Sequence, residues 1–187
     1  MPKVAIVYHS GYGHTAEQAK AVARGARSVA GTDVKLISVT DGDVPWSELA
    51  TAQAIIFGSP TYMGTVSAPF KKFMDDSSKI WHDRQWVDKL AAGFTNSASQ
   101  SGDKLNTLTT LAVFAAQHGM LWAGVDLLPG NNHSKGSVED LNRLGSFLGA
   151  MAQSNADQGP DQGPIASDLK TAEHLGQRVA TLVTRFK

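Results

Sequence analysis

The sequence predicts an α/β fold, a three-layer sandwich with a five-stranded parallel sheet and helices on both faces. Three observations predict it. Short runs rich in apolar and β-branched residues recur five times along the chain. Between them lie stretches whose apolar residues repeat at three- and four-residue steps, the period of a helix. The best of the short runs are apolar nearly throughout rather than alternating, which suits strands covered on both faces. Strands alternating with helices imply βαβ units, and right-handed crossovers leave the doubly wound sandwich as the main choice.

Each element has its own justification. Lys3-Val4-Ala5-Ile6-Val7-Tyr8-His9 is the first strand. A turn rich in Gly and Ser follows, and Thr15 with Gln18 has the spacing of a capping box. Ala19, Val22, Ala23, Ala26, Val29 and Ala30 then form one helix face. Val34–Val39 reads as the second strand, and a short helical turn spans Trp46 to Ala50. Ala54–Gly58 is a third, buried strand. A helix starts after Pro69, an N-terminal proline position, and carries Phe70, Phe73 and Met74. Leu90–Phe94 is a fourth strand. Leu105, Leu108, Leu111, Ala112 and Ala115 mark the next helix, and Leu121–Val125 the fifth strand. The stretch 129–164 is rich in Gly, Asn, Ser and Asp and too long for a plain connector. It reads as an ordered excursion with a short helix at Val138–Leu144 and a strand at Phe147–Ala152. The last helix starts near Ser167 or Asp168 and carries Leu169, Ala172, Leu175, Val179, Leu182, Val183 and Phe186. Five strands fit the flavodoxin-like order 2-1-3-4-5 better than a six-stranded sheet.

Length and composition narrow the function classes. A chain of 187 residues is one domain, 1–187, with the excursion inside it. Apolar residues make up 42%, which argues against disorder. Lys+Arg and Asp+Glu each number 17, so the formal charge is zero. A nucleic-acid binder would need a basic stripe. Cysteine is absent, which removes disulfides, cysteine-ligated zinc, iron–sulfur clusters and thiol nucleophiles. The six His residues lack metal-ligand spacing. The N-terminal apolar run is too short for a signal peptide, and no apolar stretch approaches the ~18 residues of a membrane span. The expectation is a soluble cytoplasmic protein.

In an open α/β sheet, ligands bind beyond the carboxyl ends of the strands. The first such loop is Ser10-Gly11-Tyr12-Gly13-His14-Thr15. It opens a helix, whose N–H groups and dipole favour an anion, and Ser10 and Thr15 add hydroxyls. No Lys stands at a P-loop position. The loop suits a single phosphate monoester such as that of FMN. Gly11, Gly13 and Ala16 also match a weak G-x-G-x-x-A dinucleotide fingerprint. The second loop is Ser59-Pro60-Thr61-Tyr62-Met63-Gly64, where Tyr62 and Met63 can press on a planar ring. The third, Asn96-Ser97-Ala98-Ser99-Gln100-Ser101-Gly102, is polar and uncharged, suited to hydrogen-bonding a ring edge through its backbone. His118 follows the fourth helix, whose C-terminus would favour a protonated imidazole.

Together these segments resemble the WrbA-type NAD(P)H:quinone oxidoreductases, a flavodoxin-like family. Val7-Tyr8-His9-Ser10-Gly11-Tyr12-Gly13-His14 resembles the family's Y-x-S-x-Y-G-H phosphate loop. Ala54–Thr61 resembles its D-A-I-I-F-G-T-P-T segment, and Ala116-Gln117-His118-Gly119-Met120 its L-x-x-H-G-M segment. Leu175–Ala180 is similar to its final helix. The resemblance implies FMN contacts from Ser10 through Thr15, from Pro60, Thr61, Tyr62, Met63 and Gly64, from Asn96 through Ser101, and from His118. It implies a nicotinamide contact at Tyr12. It also implies that Trp81 closes a quinone pocket, from a neighbouring subunit of a homo-oligomer, dimer or tetramer. Two departures stand out. The third loop lacks the family's Gly- and Thr-rich character, and the family's second-loop aromatic is Met63 here.

The leading expectation is thus an enzyme in which FMN passes two electrons from NADH or NADPH to a quinone, with His118 as hydrogen-bond donor or proton source to the quinone oxygen. The alternative is a flavodoxin-like FMN electron carrier, against which zero net charge counts, because carriers use an acidic face for steering. A dinucleotide-binding dehydrogenase built on Gly11, Gly13 and Ala16 is a third reading.

Overall fold

The computed structural model describes residues 1–186. In chain order the elements are β1 (Lys3–Tyr8), α1 (His14–Arg27), β2 (Asp33–Ser38), α2 (Trp46–Thr51), β3 (Ala54–Tyr62), β4 (Thr65–Val66), α3 (Ala68–Asp76), α4 (Ser78–His82), β5 (Leu90–Ser97), α5 (Lys104–Gln117), β6 (Leu121–Trp122), β7 (Ala150–Gln153) and α6 (Ala166–Arg185). Four strands lie parallel in the order β2-β1-β3-β5. The fifth position is filled in two pieces. Leu121 and Trp122 pair with Leu90 and Ala91, and Ala150–Gln153 pair with Phe94–Ser97, all parallel. The predicted 2-1-3-4-5 order therefore holds, with the fifth strand interrupted by residues 123–149.

Successive strand residues point to opposite faces, so each strand feeds two cores. Val4, Ile6, Ala54, Ile56, Ala92 and Phe94 pack with α1 and α6. Ala5, Val7, Ile55, Phe57 and Ala91 pack with α2, α3 and α5. The first layer is lined by small residues and lets two helices approach closely: a Cβ on Gly25 would lie 1.7 Å from the Glu173 carbonyl oxygen. The second layer is aromatic. Phe57 has ring centroids of Phe70, Phe73, Trp86 and Phe114 within 6.5 Å.

Several expectations need correction. The excursion assigned to 129–164 leaves the sheet at 123 and returns at Ala150, because the edge strand resumes there. No helix forms over 138–144. Asn142 has a left-handed φ of 50°. Its side-chain amide donates to the carbonyls of Leu127 and Ser146 and its Oδ1 accepts from Ser146 N, which ties the segment into turns instead. The Thr15–Gln18 capping box is also absent. α1 begins at His14 with Gly13 as its N-cap, two residues earlier than the box would place it, and both Thr15 and Gln18 are buried within it. Strands three and four run past Gly58 and Phe94, to Tyr62 and Ser97. Their polar ends stay in register, Ser59 opposite Thr95 and Pro60 opposite Asn96. Buried hydroxyls satisfy one another there, since Thr61 Oγ1 lies 2.8 Å from both Thr95 Oγ1 and Thr107 Oγ1. Among the described residues no helix is long and apolar enough to cross a membrane.

Candidate functional site

Beyond the carboxyl ends of β1, β3 and β5 lies a cavity of about 760 Å³. The three strand-exit loops line it, joined by a fourth segment, Ser154–Gly159, which follows β7.

The first wall is the β1–α1 loop. Ser10 Oγ accepts hydrogen bonds from the backbone N–H of Gly13 and of Ala16, each at 3.1 Å. Its lone pairs hold the turn, so its own proton is free to face the cavity. The first N–H groups of an α-helix have no intrahelical acceptor. In α1, Ser10 Oγ takes that of Ala16 and Gly13 O takes that of Glu17. Among the described residues those of His14 and Thr15 have no acceptor. Gly13 has φ 92°. A Cβ there would lie 2.8 Å from the Pro160 ring, so Gly alone fits. No Lys or Arg lines the cavity. An anion held here is held by N–H and O–H groups and the helix dipole.

The second wall is the end of β3. Pro60, Thr61, Tyr62, Met63 and Gly64 all line the cavity. Thr61 turns its hydroxyl inward to Thr95 and Thr107 and so offers its backbone. Tyr62 reaches back across the loop: a Cβ on Gly11 would meet its Oη at 2.6 Å. The Tyr12 and Tyr62 rings meet edge to face with centroids 6.2 Å apart. Burial, then the neighbouring Tyr12, raises the Tyr62 phenol above its ordinary pKa. Met63 adopts φ 48°, followed by Gly64 at 85°, and is fully exposed at the rim. Asn106 of α5 donates to the Gly64 carbonyl at 2.7 Å and steadies this turn.

The third wall is the β5–α5 loop. Asn96, Ser97, Ala98 and Ser99 line the cavity. Gln100 and Ser101 turn outward, where they line a separate open cavity with Arg143 and Leu144. Lys104, fully buried, donates from Nζ to Ser97 Oγ at 2.8 Å and to the Ser99 carbonyl at 2.7 Å. Gln153 donates to the Ala98 carbonyl, and Ser154 Oγ bonds Asn96 Oδ1 at 3.0 Å. His14 Nε2 lies 2.9 Å from the Gln158 carbonyl, a contact in which the ring must donate. The fourth segment is thereby tied to the first and third loops.

Sequence reasoning missed three parts of this arrangement. Ser154–Gly159 closes the cavity, and its signal was the Gly-, Asn- and Asp-rich composition already noted. Lys104 braces the third loop from behind. His9 joins the first two loops from beneath: its Nδ1 lies 2.8 Å from Ser67 Oγ, which lies 3.2 Å from Ser59 Oγ.

Besides Gln100 and Ser101, the predicted residues His118 and Trp81 are not brought to the cavity. α5 begins at its rim, and its 14 residues at ~1.5 Å each carry the chain about 20 Å before it reaches His118. There His118 is buried, its ring 4.4 Å from that of Trp86, and its Nε2 lies 2.9 Å from Ser77 Oγ. Burial, reinforced by Arg84, lowers its pKa to about 4, so the expectation of a protonated imidazole is corrected. Desolvation outweighs the helix dipole because the ring has left water. Trp81 sits on α4, about half exposed and away from the cavity.

The donor set can be tested against a flavin mononucleotide. At one end, free helix N–H groups and the Ser10 hydroxyl match a phosphate. The glycine at position 11 leaves room for the Tyr62 phenol. A flat apolar flank of Pro60 and Tyr62 faces a loop rich in backbone donors and acceptors. These residues fit the group.

Comparison with known proteins gives concordant results. A family model described as NADPH-dependent FMN reductase matches residues 45–133. The flavodoxin FldP of Pseudomonas aeruginosa (strain UCBPP-PA14) is 43% identical over 186 residues, covering 97% of each chain. An NAD(P)H dehydrogenase (quinone) of Chromohalobacter salexigens is 31% identical, over 100% of this chain and 99% of its own. The crystal structure of a flavodoxin, WrbA-like protein from Agrobacterium tumefaciens superposes with a TM-score of 0.76 at 40% identity, covering both chains fully.

Proposed function

The chain belongs to the WrbA-type family of flavodoxin-like oxidoreductases, and on that premise we propose that it passes two electrons from NAD(P)H to quinones with FMN as its cofactor. The observation that carries this reading is the convergence of four strand-exit segments on one cavity, with a helix N-terminus at its end and no Lys or Arg in its lining.

When bound, FMN supplies the two-electron chemistry. The protein binds and orients. The Ser10 hydroxyl and the N–H groups of Tyr12, Gly13, His14 and Thr15 form the phosphate-binding end, with Gly13 N already shared with Ser10. Pro60, Thr61 and Tyr62, with Met63 and Gly64, form one flank of the ring site. The backbone of Asn96, Ser97, Ala98 and Ser99 forms its polar edge. Tyr12 is mostly exposed at the mouth, which supports its meeting the nicotinamide donor. Donor and acceptor use the same open mouth in turn, which makes the cycle ping-pong. Trp81 lies outside this chain's own cavity, so its closing a quinone site requires a second copy in a homo-oligomer.

The test is an absorption spectrum of protein loaded with FMN and desalted, followed by anaerobic NADH or NADPH. A retained flavin band that bleaches and returns with benzoquinone supports the oxidoreductase. No retained band overturns the reading. A second reading, an electron carrier, is favoured by the 43% identity to a flavodoxin. It predicts a retained band that nucleotide does not bleach, with fast exchange through a reductase protein.

A further inference from the structure

Lys104 is the first residue of α5, fully buried, and its ammonium group contacts only neutral acceptors, Ser97 Oγ and the Ser99 carbonyl. Among the described residues no carboxylate lies within ion-pair distance of it. The buried carboxylate nearby, Asp168, is already occupied: Arg143 grips both its oxygens at 2.8 and 2.7 Å, and Gln153 N donates to it as well. A buried charge without a counter-charge is costly, so such groups are normally paired. Burial accordingly lowers the Lys104 pKa to about 8, which still leaves it mostly charged at neutral pH. Both of its acceptors line the candidate flavin cavity, which no Lys or Arg side chain lines. Asp103 lies at the same rim, but it is exposed, where water and salt screen it.

We infer that Lys104 is an electrostatic positioning residue whose charge, set behind the Ser97–Ser99 loop, stabilises the reduced cofactor over the oxidised one. The inference rests on the FMN reading above. Hydride transfer from NAD(P)H yields NAD(P)⁺ and a reduced ring carrying one negative charge, while the oxidised ring is neutral. A fixed cation beside the cavity therefore favours the reduced form. Two charges ~10 Å apart at an effective dielectric near 20 exchange about a factor of ten in equilibrium. Lys104 thus pushes the site towards accepting a hydride and away from the low-potential behaviour of a one-electron carrier.

The test measures affinities for oxidised and reduced FMN, and the midpoint potential by spectroelectrochemistry, in wild type, Lys104→Gln and Lys104→Arg. Gln keeps a neutral donor to the loop, and Arg keeps the charge. Lys104→Gln is expected to lower the reduced-to-oxidised affinity ratio about tenfold, which is ~30 mV for a two-electron couple. Lys104→Arg is expected to stay within threefold of wild type. A Gln variant with the wild-type potential overturns the inference and leaves FMN binding intact. Should the variants fail to fold, wild type still decides: it is expected to bind reduced FMN at least as tightly as oxidised. Oxidised FMN bound a hundredfold more tightly would overturn the inference. Wild type that binds no FMN overturns the reading beneath it.

Discussion

Ser10 Oγ accepts the backbone N–H of Ala16 at 3.1 Å, bridging the end of β1 to the first turn of α1. Ser10 thus performs the capping role that the sequence assigned to Thr15, while its proton remains available to a phosphate. Ser10→Ala is expected to cost about 1 kcal/mol in stability, typical of a lost N-terminal cap. It should weaken FMN about tenfold or more, with a much smaller effect on riboflavin, which lacks the phosphate. Titrating both flavins checks this; equal losses would place the effect on the ring instead.

α1 and α6 touch backbone to backbone. A Cβ on Gly176 would lie 1.9 Å from the Val22 carbonyl oxygen, and one on Gly25 1.7 Å from that of Glu173. Gly25→Ala or Gly176→Ala must push the helices apart, at ~1–3 kcal/mol or more of overpacking strain. Denaturant midpoints should fall in both variants. Flavin affinity in the folded fraction should stay near wild type, since neither residue lines the cavity.

Arg143 and Asp168 form a buried, two-pronged ion pair. Removing one partner strands the other charge. Asp168→Asn or Arg143→Met is expected to lose ~3–5 kcal/mol, while Arg143→Met with Asp168→Leu should recover most of it. A double-mutant cycle from urea melts reads the coupling directly. Additive losses would show that the two do not act as a pair.

His118 gives a pH dependence. Its folded pKa is near 4 against an ordinary 6.5, so between these values the unfolded chain binds a proton that the folded one excludes. Stability from this residue is fully present above pH 6.5 and falls as pH drops towards 4. The shift corresponds to a ceiling of ~3 kcal/mol. His118→Gln should flatten the stability slope between pH 6.5 and 4; an unchanged slope would contradict a neutral, buried imidazole.

Much of the fold was legible in the sequence because burial leaves a periodic record. Val4–Val7 and Ala54–Phe57 read as two-sided strands, and both faces are indeed covered. The loops at Ser10, Pro60 and Asn96 were legible as one group because strand order places successive strand exits at the same sheet end. What escaped was non-local. Pro60, Thr61, Thr95 and Asn96 look like turn residues in sequence, yet they extend two strands because their neighbours across the sheet satisfy them. Asn142 breaks a helix-like stretch by hydrogen bonds to residues up to 29 positions away.

The sequence by itself therefore determined the layer architecture, the strand order and the end of the sheet at which the candidate cavity lies. Those follow from hydrophobic periodicity and chain connectivity, which are local. Only the tertiary structure decided that residues 154–159 close the cavity, that Lys104 supports it from behind, and that His118 is a core residue. The physical reason is that these outcomes turn on distance and solvent access. Helix length set the first for His118, and packing against Trp86 and Phe114 set the second.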